Sequence, residues 1–149
     1  MMKKVFTIVF CVLCIITTGC GNSKLKAGTY EGSATDNYGG QENTATAKVV
    51  INEEGKIESV YLDTTYTHDG KQTTKKELGS EYGMYNHPYG SKVGEWDEQV
   101  KKLEAAIVEH QGTEFLALGE DGKTDAVSGC TIAINALVEA FDNALAKAK

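Results

Sequence analysis

The chain has 149 residues with a formal net charge of −6, and all 15 of its basic residues are lysines. An acidic protein is repelled by phosphate backbones, and arginine is the usual reader of guanine and phosphate, so we expect no nucleic-acid partner. The length is enough for one domain with its own hydrophobic core.

The N-terminal segment has the features of a secretory signal. Lys3 and Lys4 precede an apolar run from Val5 to Ile16. This run is shorter than the roughly 20 residues that a helix needs to cross a bilayer. We therefore expect residues 1–19 to be a cleaved signal peptide rather than a permanent transmembrane helix.

The end of the signal resembles a bacterial lipobox. Gly19 precedes Cys20, although Thr17 stands where a lipobox usually has leucine. The resemblance implies that Cys20 is diacylated on sulfur and anchors the mature chain to the extracytoplasmic face of the cell membrane, with residues 20–26 as a polar tether. The alternative is ordinary signal cleavage that leaves Cys20 as a free thiol.

Cysteine usage predicts a domain without disulfides. Cys11 and Cys14 leave with the signal and Cys20 is lipidated, so Cys130 remains alone in the domain of residues 27–149. An exported domain with a single thiol must be held together by its core.

The first half of the domain has the alternation of β-strands. We predict a strand from Gly28 to Ala34, a loop at 36–41, and a half-buried strand at 45–51 in which apolar and polar residues alternate. A turn at Gly55 leads to a third strand from Ile57 to Tyr66. Three such strands in sequence predict an antiparallel meander.

The second half is mainly helical. We predict a short helix from Thr73 to Ser80, a loop from Glu81 to Gly94, and a helix that starts near Trp96 and ends at Gln111-Gly112. Phe115–Leu118 is a candidate edge strand, and Ile134–Leu145 is an amphipathic helix. The predicted fold class is α+β, a small antiparallel sheet covered by two main helices.

The segment Asp125–Thr131 lies just before the last helix. Ser128 is a candidate helix cap, and Gly129 lets the backbone approach a ligand. The amides of Cys130, Thr131 and Ile132 would then point at an anion at the helix N-terminus. These residues alone predict a possible phosphate site, and the alternative is a plain helix cap.

The same segment, Asp-Ala-Val-Ser-Gly-Cys-Thr, resembles the D-x-x-S-G-A-T signature of FMN-binding domains. Such domains occur in Rnf-type and sodium-pumping NADH:quinone oxidoreductases and in lipoproteins of extracellular electron transfer. The resemblance implies that FMN is esterified through its phosphate to Thr131 by a flavin transferase. Asp125, Ser128 and Gly129 match the rest of the signature, and Cys130 replaces the usual alanine.

The resemblance implies an electron carrier with FMN as cofactor and a membrane-bound oxidoreductase as electron donor. A flavin-dependent reductase is a weaker alternative, and a cofactor-free surface lipoprotein acting as a binding module is another. Isolated histidines predict no metal site. The tyrosines of the 81–94 loop are candidates for a shelf under a flavin ring, namely Tyr82, Tyr85 and Tyr89.

Overall fold

A computed structural model describes residues 24–37 and 40–149. The predicted signal peptide, Cys20 and most of the tether lie outside these residues. No helix within the described ranges is long and apolar enough to cross a membrane.

Four antiparallel strands form one sheet in the order of the chain: β1 Gly28–Asp36, β2 Asn43–Ile51, β3 Ile57–His68 and β4 Lys71–Thr74. The three-strand meander is confirmed, and every second residue of β2 is buried as its alternation predicts. The fourth strand was missed because its sequence is short and wholly polar. It pairs with the end of β3.

Three helices follow the sheet: α1 Lys75–Leu78, α2 Trp96–His110 and α3 Asn135–Ala146. The predicted 73–80 helix is shorter than expected, because Thr74 caps α1 and a 3-10 turn, Gly79–Tyr82, follows it. The Gln111-Gly112 end of α2 is confirmed, with Gln111 in a left-handed conformation at φ 60°.

The predicted edge strand at Phe115–Leu118 is wrong. The Leu116 amide donates to the carbonyl of Thr113, which bends this segment back after α2. Phe115 stacks on His110 with ring centroids 4.0 Å apart, and Leu116 is buried in the core. Packing of these two side chains, rather than pairing with a strand, explains the apolar run.

Helices α2 and α3 cover one face of the sheet, which confirms the α+β fold. Val49, Leu62, Leu103 and Phe141 are fully buried between them. A Cβ built on Gly32 would lie 2.2 Å from the carbonyl oxygen of Ala140, so only glycine lets α3 pack this closely on β1.

The covered face of the sheet changes from apolar to polar at one end. Along β3, buried Leu62 is followed on the same face by buried Thr64. Asp36 ends β1 opposite Asn43 of β2, and Ala45 pairs with Thr64. This end of the sheet forms the floor of the candidate functional site.

Candidate functional site

A cavity of about 370 Å³ opens at the polar end of the sheet. Its volume lies within the roughly 300–1,000 Å³ range of small-molecule sites. Strands, the loop before α2 and the segment before α3 all contribute to its wall. The lining residues that matter for its chemistry are Asp36, Thr64, Lys75, Tyr82, Met84, Tyr89, Ser91, Trp96, Lys123, Thr131 and Leu137.

Thr131 lies on the rim of this cavity and is held by Gln99 of α2. The Thr131 amide and hydroxyl both donate to Gln99 Oε1, at 2.8 Å and 3.1 Å. Gln99 is fully buried, and its Nε2 donates to Ser91 Oγ and to the Gly94 carbonyl, both at 2.8 Å. An amide N–H can only donate and a carbonyl can only accept, so these partners fix which end of the Gln99 side chain faces Thr131.

The predicted helix cap at Ser128 is wrong. Helix α3 begins at Asn135, with Ile134 in the cap position and no side-chain capping bond. Ile134 and Cys130 are buried, and the Ile134 amide donates to the Gly122 carbonyl at 2.7 Å. Burial of these apolar side chains therefore keeps the segment in an irregular conformation instead of extending the helix.

Two of the backbone amides that were predicted to point at an anion, those of Cys130 and Thr131, already have hydrogen-bond partners. The Cys130 amide donates to the Val127 carbonyl at 3.1 Å, and the Thr131 amide donates to Gln99. Neither amide is the unpaired donor of a helix N-terminus. The cavity, rather than the first turn of α3, is the better candidate for a binding site.

The other predicted site residues, Asp125, Ser128, Gly129 and Cys130, do not line the cavity. Asp125 and Ser128 are exposed. Gly129 has φ +76°, a conformation that favours glycine, and its carbonyl accepts from Lys102 Nζ at 3.5 Å. Of the five residues predicted to bind the cofactor, the structure places Thr131 in the cavity wall, and the roles of the other four stay predictions.

Apolar and aromatic side chains form one wall of the cavity. Trp96 is 4% exposed, and Tyr82 packs edge-on against Tyr66 with ring centroids 5.1 Å apart. Of the three loop tyrosines, Tyr82 and Tyr89 line the cavity and Tyr85 does not.

Glu95 fixes the loop between the 3-10 turn and α2, which carries Tyr85 and Tyr89. Its carboxylate accepts from the amides of Met84 and Tyr85 at 3.0 Å and 2.9 Å. The loop closes on itself, since Ser91 donates its amide to the Met84 carbonyl at 3.0 Å. A Cβ on Gly90 would lie 2.1 Å from that carbonyl oxygen, so the closed loop requires glycine.

A cavity with an aromatic wall suits a planar aromatic ligand. The model of the FMN-binding domain family matches residues 38–146. The chain belongs to the FMN-binding domain family. This membership confirms the predicted resemblance to FMN-binding domains and makes the protein a flavin-binding protein with FMN as its cofactor.

A solved structure supports the fold of this FMN-binding domain. It is the solution NMR structure of a Clostridium thermocellum protein, 32% identical in sequence, with a TM-score of 0.56. The alignment covers 84% of this chain and 93% of that protein. No curated protein matches the chain.

Cys130, which replaces the alanine of the family signature, is 1% exposed and lies in the core. Burial raises the pKa of its thiol. The thiol is therefore neutral at physiological pH, which favours the interpretation of Cys130 as a slightly larger alanine over a reactive thiolate. It is the free cysteine of the described residues.

The floor of the cavity holds polar residues that the sequence did not single out. Lys75 is 5% exposed, and its Nζ lies 3.5 Å from Asp36 Oδ2. The same nitrogen lies 5.2 Å from the centroid of the Trp96 ring and 5.6 Å from that of Tyr82. Burial lowers the pKa of Lys75, and the carboxylate of Asp36 opposes that effect.

The residues present fit an FMN ring. The cavity offers an aromatic wall, a buried ammonium group and the hydroxyl of Thr64, whose Oγ1 has no hydrogen-bond partner among residues 24–37 and 40–149. Within those ranges no cluster of histidine, cysteine and acidic side chains could hold a metal ion. Trp96 and the buried ammonium group of Lys75 are the residues of this lining that would contact an FMN ring.

Proposed function

We propose that this protein is a membrane-anchored flavoprotein that carries FMN as a phosphoester on Thr131 and relays electrons from a membrane-bound oxidoreductase. The observation that carries the proposal is the place of the Thr131 hydroxyl. Thr131 lines a cavity whose lining also includes aromatic rings, the Lys75 ammonium group and Thr64, whose hydroxyl has no partner among the described residues. FMN supplies the redox chemistry, and the chain supplies binding and orientation.

Gln99 prepares Thr131 for attachment. Ester formation replaces the Thr131 Oγ–H bond by an Oγ–P bond, so it needs a transferase that supplies FMN with its phosphate bonded to a leaving group. The hydroxyl proton goes to a base of the transferase or to solvent. Before the reaction the hydroxyl donates to Gln99 Oε1 at 3.1 Å, and afterwards only the Thr131 amide can keep that contact.

An electron carrier that works outside the cytoplasm benefits from covalent attachment, because a freely dissociating FMN would be diluted into the surroundings. A cofactor bound in this cavity would also lie close to solvent. Tyr89, which lines the opening, is 95% exposed. A ring held in this cavity would be reachable by both a donor and an acceptor.

The proposed lipid on Cys20 would keep the domain close to the membrane. Leu25 packs against the core and lies only five positions after Cys20 in the sequence. A fully extended chain spans at most roughly 3.3–3.6 Å per residue, which limits the domain to within about 20 Å of its anchor. That reach favours a donor within the membrane.

The experiment that tests the function is an intact mass of the native mature protein. We expect the mass of the mature chain to be increased by lipid at Cys20 and by one FMN moiety. The flavin increment should survive denaturation and be located on the peptide that contains Thr131. A native protein without any flavin, in a cell that contains the transferase, would contradict the proposal.

Replacement of Cys20 tests the anchor. In Cys20→Ser the sulfur that would carry the lipid is absent, and each buried CH₂ of a lipid chain contributes about 0.8 kcal/mol to membrane affinity. We expect the variant to move from the membrane fraction to the soluble fraction, as measured by immunoblotting after ultracentrifugation. A variant that stays in the membrane fraction as firmly as the wild type would show that Cys20 is not the anchor.

A further inference from the structure

The buried hydroxyl group of Thr64 lowers the stability of the fold, because none of the described residues hydrogen-bonds to it. The Thr64 side chain is fully buried at the polar end of the sheet, on strand β3, and its Oγ1 makes no hydrogen bond within the described residues. A buried hydroxyl without a partner is unfavourable, and valine has almost the same shape. Thr64 is one of the residues that line the cavity, so a ligand bound there is the candidate partner for this hydroxyl.

Lys75 is a second buried polar residue in the lining of the cavity, and its side chain is charged. Buried ammonium groups are rare and costly unless paired, and Lys75 has Asp36 at 3.5 Å as its counter-charge. An ammonium group has three donor hydrogens, and the wall around it is formed by the rings of Trp96 and Tyr82. Lys75 also lines the cavity, so its ammonium group has donor capacity for a ligand bound there.

We propose that Lys75 and Thr64 form the subsite that hydrogen-bonds the pyrimidine edge of the flavin ring, with Asp36 holding Lys75 in place. That edge carries two carbonyl oxygens and ring nitrogens that accept hydrogen bonds, and one N–H that donates. Lys75 supplies a donor to it, and the Thr64 hydroxyl supplies either a donor or an acceptor. This inference rests on the proposed function for the identity of the ligand and adds the residues that recognise the ring.

The subsite also has an electronic consequence. When a neutral flavin ring takes up two electrons and one proton, one negative charge remains on its pyrimidine part. A cation beside that edge favours the reduced form, so Lys75 raises the reduction potential of the bound flavin. Thr64 carries no charge and should change ring affinity much more than potential.

Lumiflavin, the ring without the ribityl phosphate, tests the subsite independently of covalent attachment. We would titrate it into flavin-free protein and follow quenching of its fluorescence. Thr64→Val and Lys75→Gln should each weaken binding about tenfold or more. Lys76→Gln is the matched control, because this neighbouring lysine does not line the cavity and pairs with Glu104.

Thermal unfolding separates recognition from a structural role. Flavin-free Thr64→Val should melt at the same temperature as the wild type or higher, because the variant no longer buries an unpaired hydroxyl. Weaker lumiflavin binding together with unchanged or increased stability would support the subsite. Equal binding by wild type, Thr64→Val and Lys75→Gln, or no lumiflavin binding by the wild type, would overturn it.

The potential gives the second readout on protein loaded with FMN by the transferase. If a variant binds the reduced ring tenfold less favourably relative to the oxidised ring, the two-electron reduction potential of the flavin falls by about 30 mV. We expect a shift of this size for Lys75→Gln and none for Lys76→Gln in a dithionite titration. Absence of covalent FMN from the wild type would count against the proposed function, whereas equal potentials in loaded Lys75→Gln and wild type would count against the subsite alone.

Discussion

Thr131→Val is expected to abolish covalent flavin and to leave the fold intact. Valine keeps the branched shape of threonine but has no oxygen to form an ester. Coexpressed with a flavin transferase, the wild type should be yellow and keep its flavin fluorescence through denaturing electrophoresis. The variant should lose all of that fluorescence, because no other atom at this position can replace the hydroxyl.

The stability of Thr131→Val should change little. The hydroxyl makes one hydrogen bond, to Gln99, and its residue is exposed, so the loss is about 0.5–1.5 kcal/mol. Thr113→Val is a suitable control, since it also removes one exposed threonine hydroxyl, which donates to Asp142 Oδ1 at 3.0 Å away from the cavity. The control should keep its covalent flavin.

Other outcomes for Thr131→Val would be informative. Flavin that binds the wild type but is lost in denaturant would mean a non-covalent FMN domain, and the carrier role would survive. Covalent flavin in the variant would place the attachment at another residue. Cys130→Ala should retain flavin, because the buried thiol occupies the position of an alanine in the family signature.

Elements with strong periodicity were predictable from the sequence. In β2 apolar and polar residues alternate, and in α2 apolar residues recur at helical spacing. Both patterns arise because one face of each element is buried, so they are visible in the sequence. Strand β4 was not predictable in this way, because its four polar residues bury little and pair only with the end of β3. The sequence motif also located Thr131, although not its hydrogen-bond partner.

The rest of the site depends on contacts between distant segments. In the sequence, Gln99 lies among charged residues that are typical of the solvent-exposed face of a helix. In the structure it is fully buried, and it contacts Thr131, which lies 32 positions later in the chain. Lys75 and Asp36 come from opposite edges of the sheet region and meet only in the folded protein. A buried lysine has no signature in one sequence, since its burial is decided by what packs around it.

Replacement of Gln99 tests whether this buried amide positions Thr131. Gln99→Leu preserves much of the side-chain volume but leaves the Gly94 carbonyl and the Thr131 amide without their partner. An unsatisfied buried group costs about 1–3 kcal/mol, so we expect the free energy of unfolding to fall by about 2–4 kcal/mol in urea denaturation. We also expect covalent flavin attachment to slow about tenfold or more, because the hydroxyl loses its fixed orientation.

Gln111→Leu is the control that separates positioning from stability. Gln111 lies at the other end of α2, about 18 Å away at 1.5 Å per residue. Its side chain also bridges backbone groups, accepting from the Ile57 amide and donating to the Ile57 carbonyl, both at 2.9 Å. This variant should lose stability and still be flavinylated at the wild-type rate. Equal slowing in both variants would mean that attachment depends on stability alone, whereas slowing confined to Gln99→Leu would identify Gln99 as the residue that presents Thr131 to the transferase.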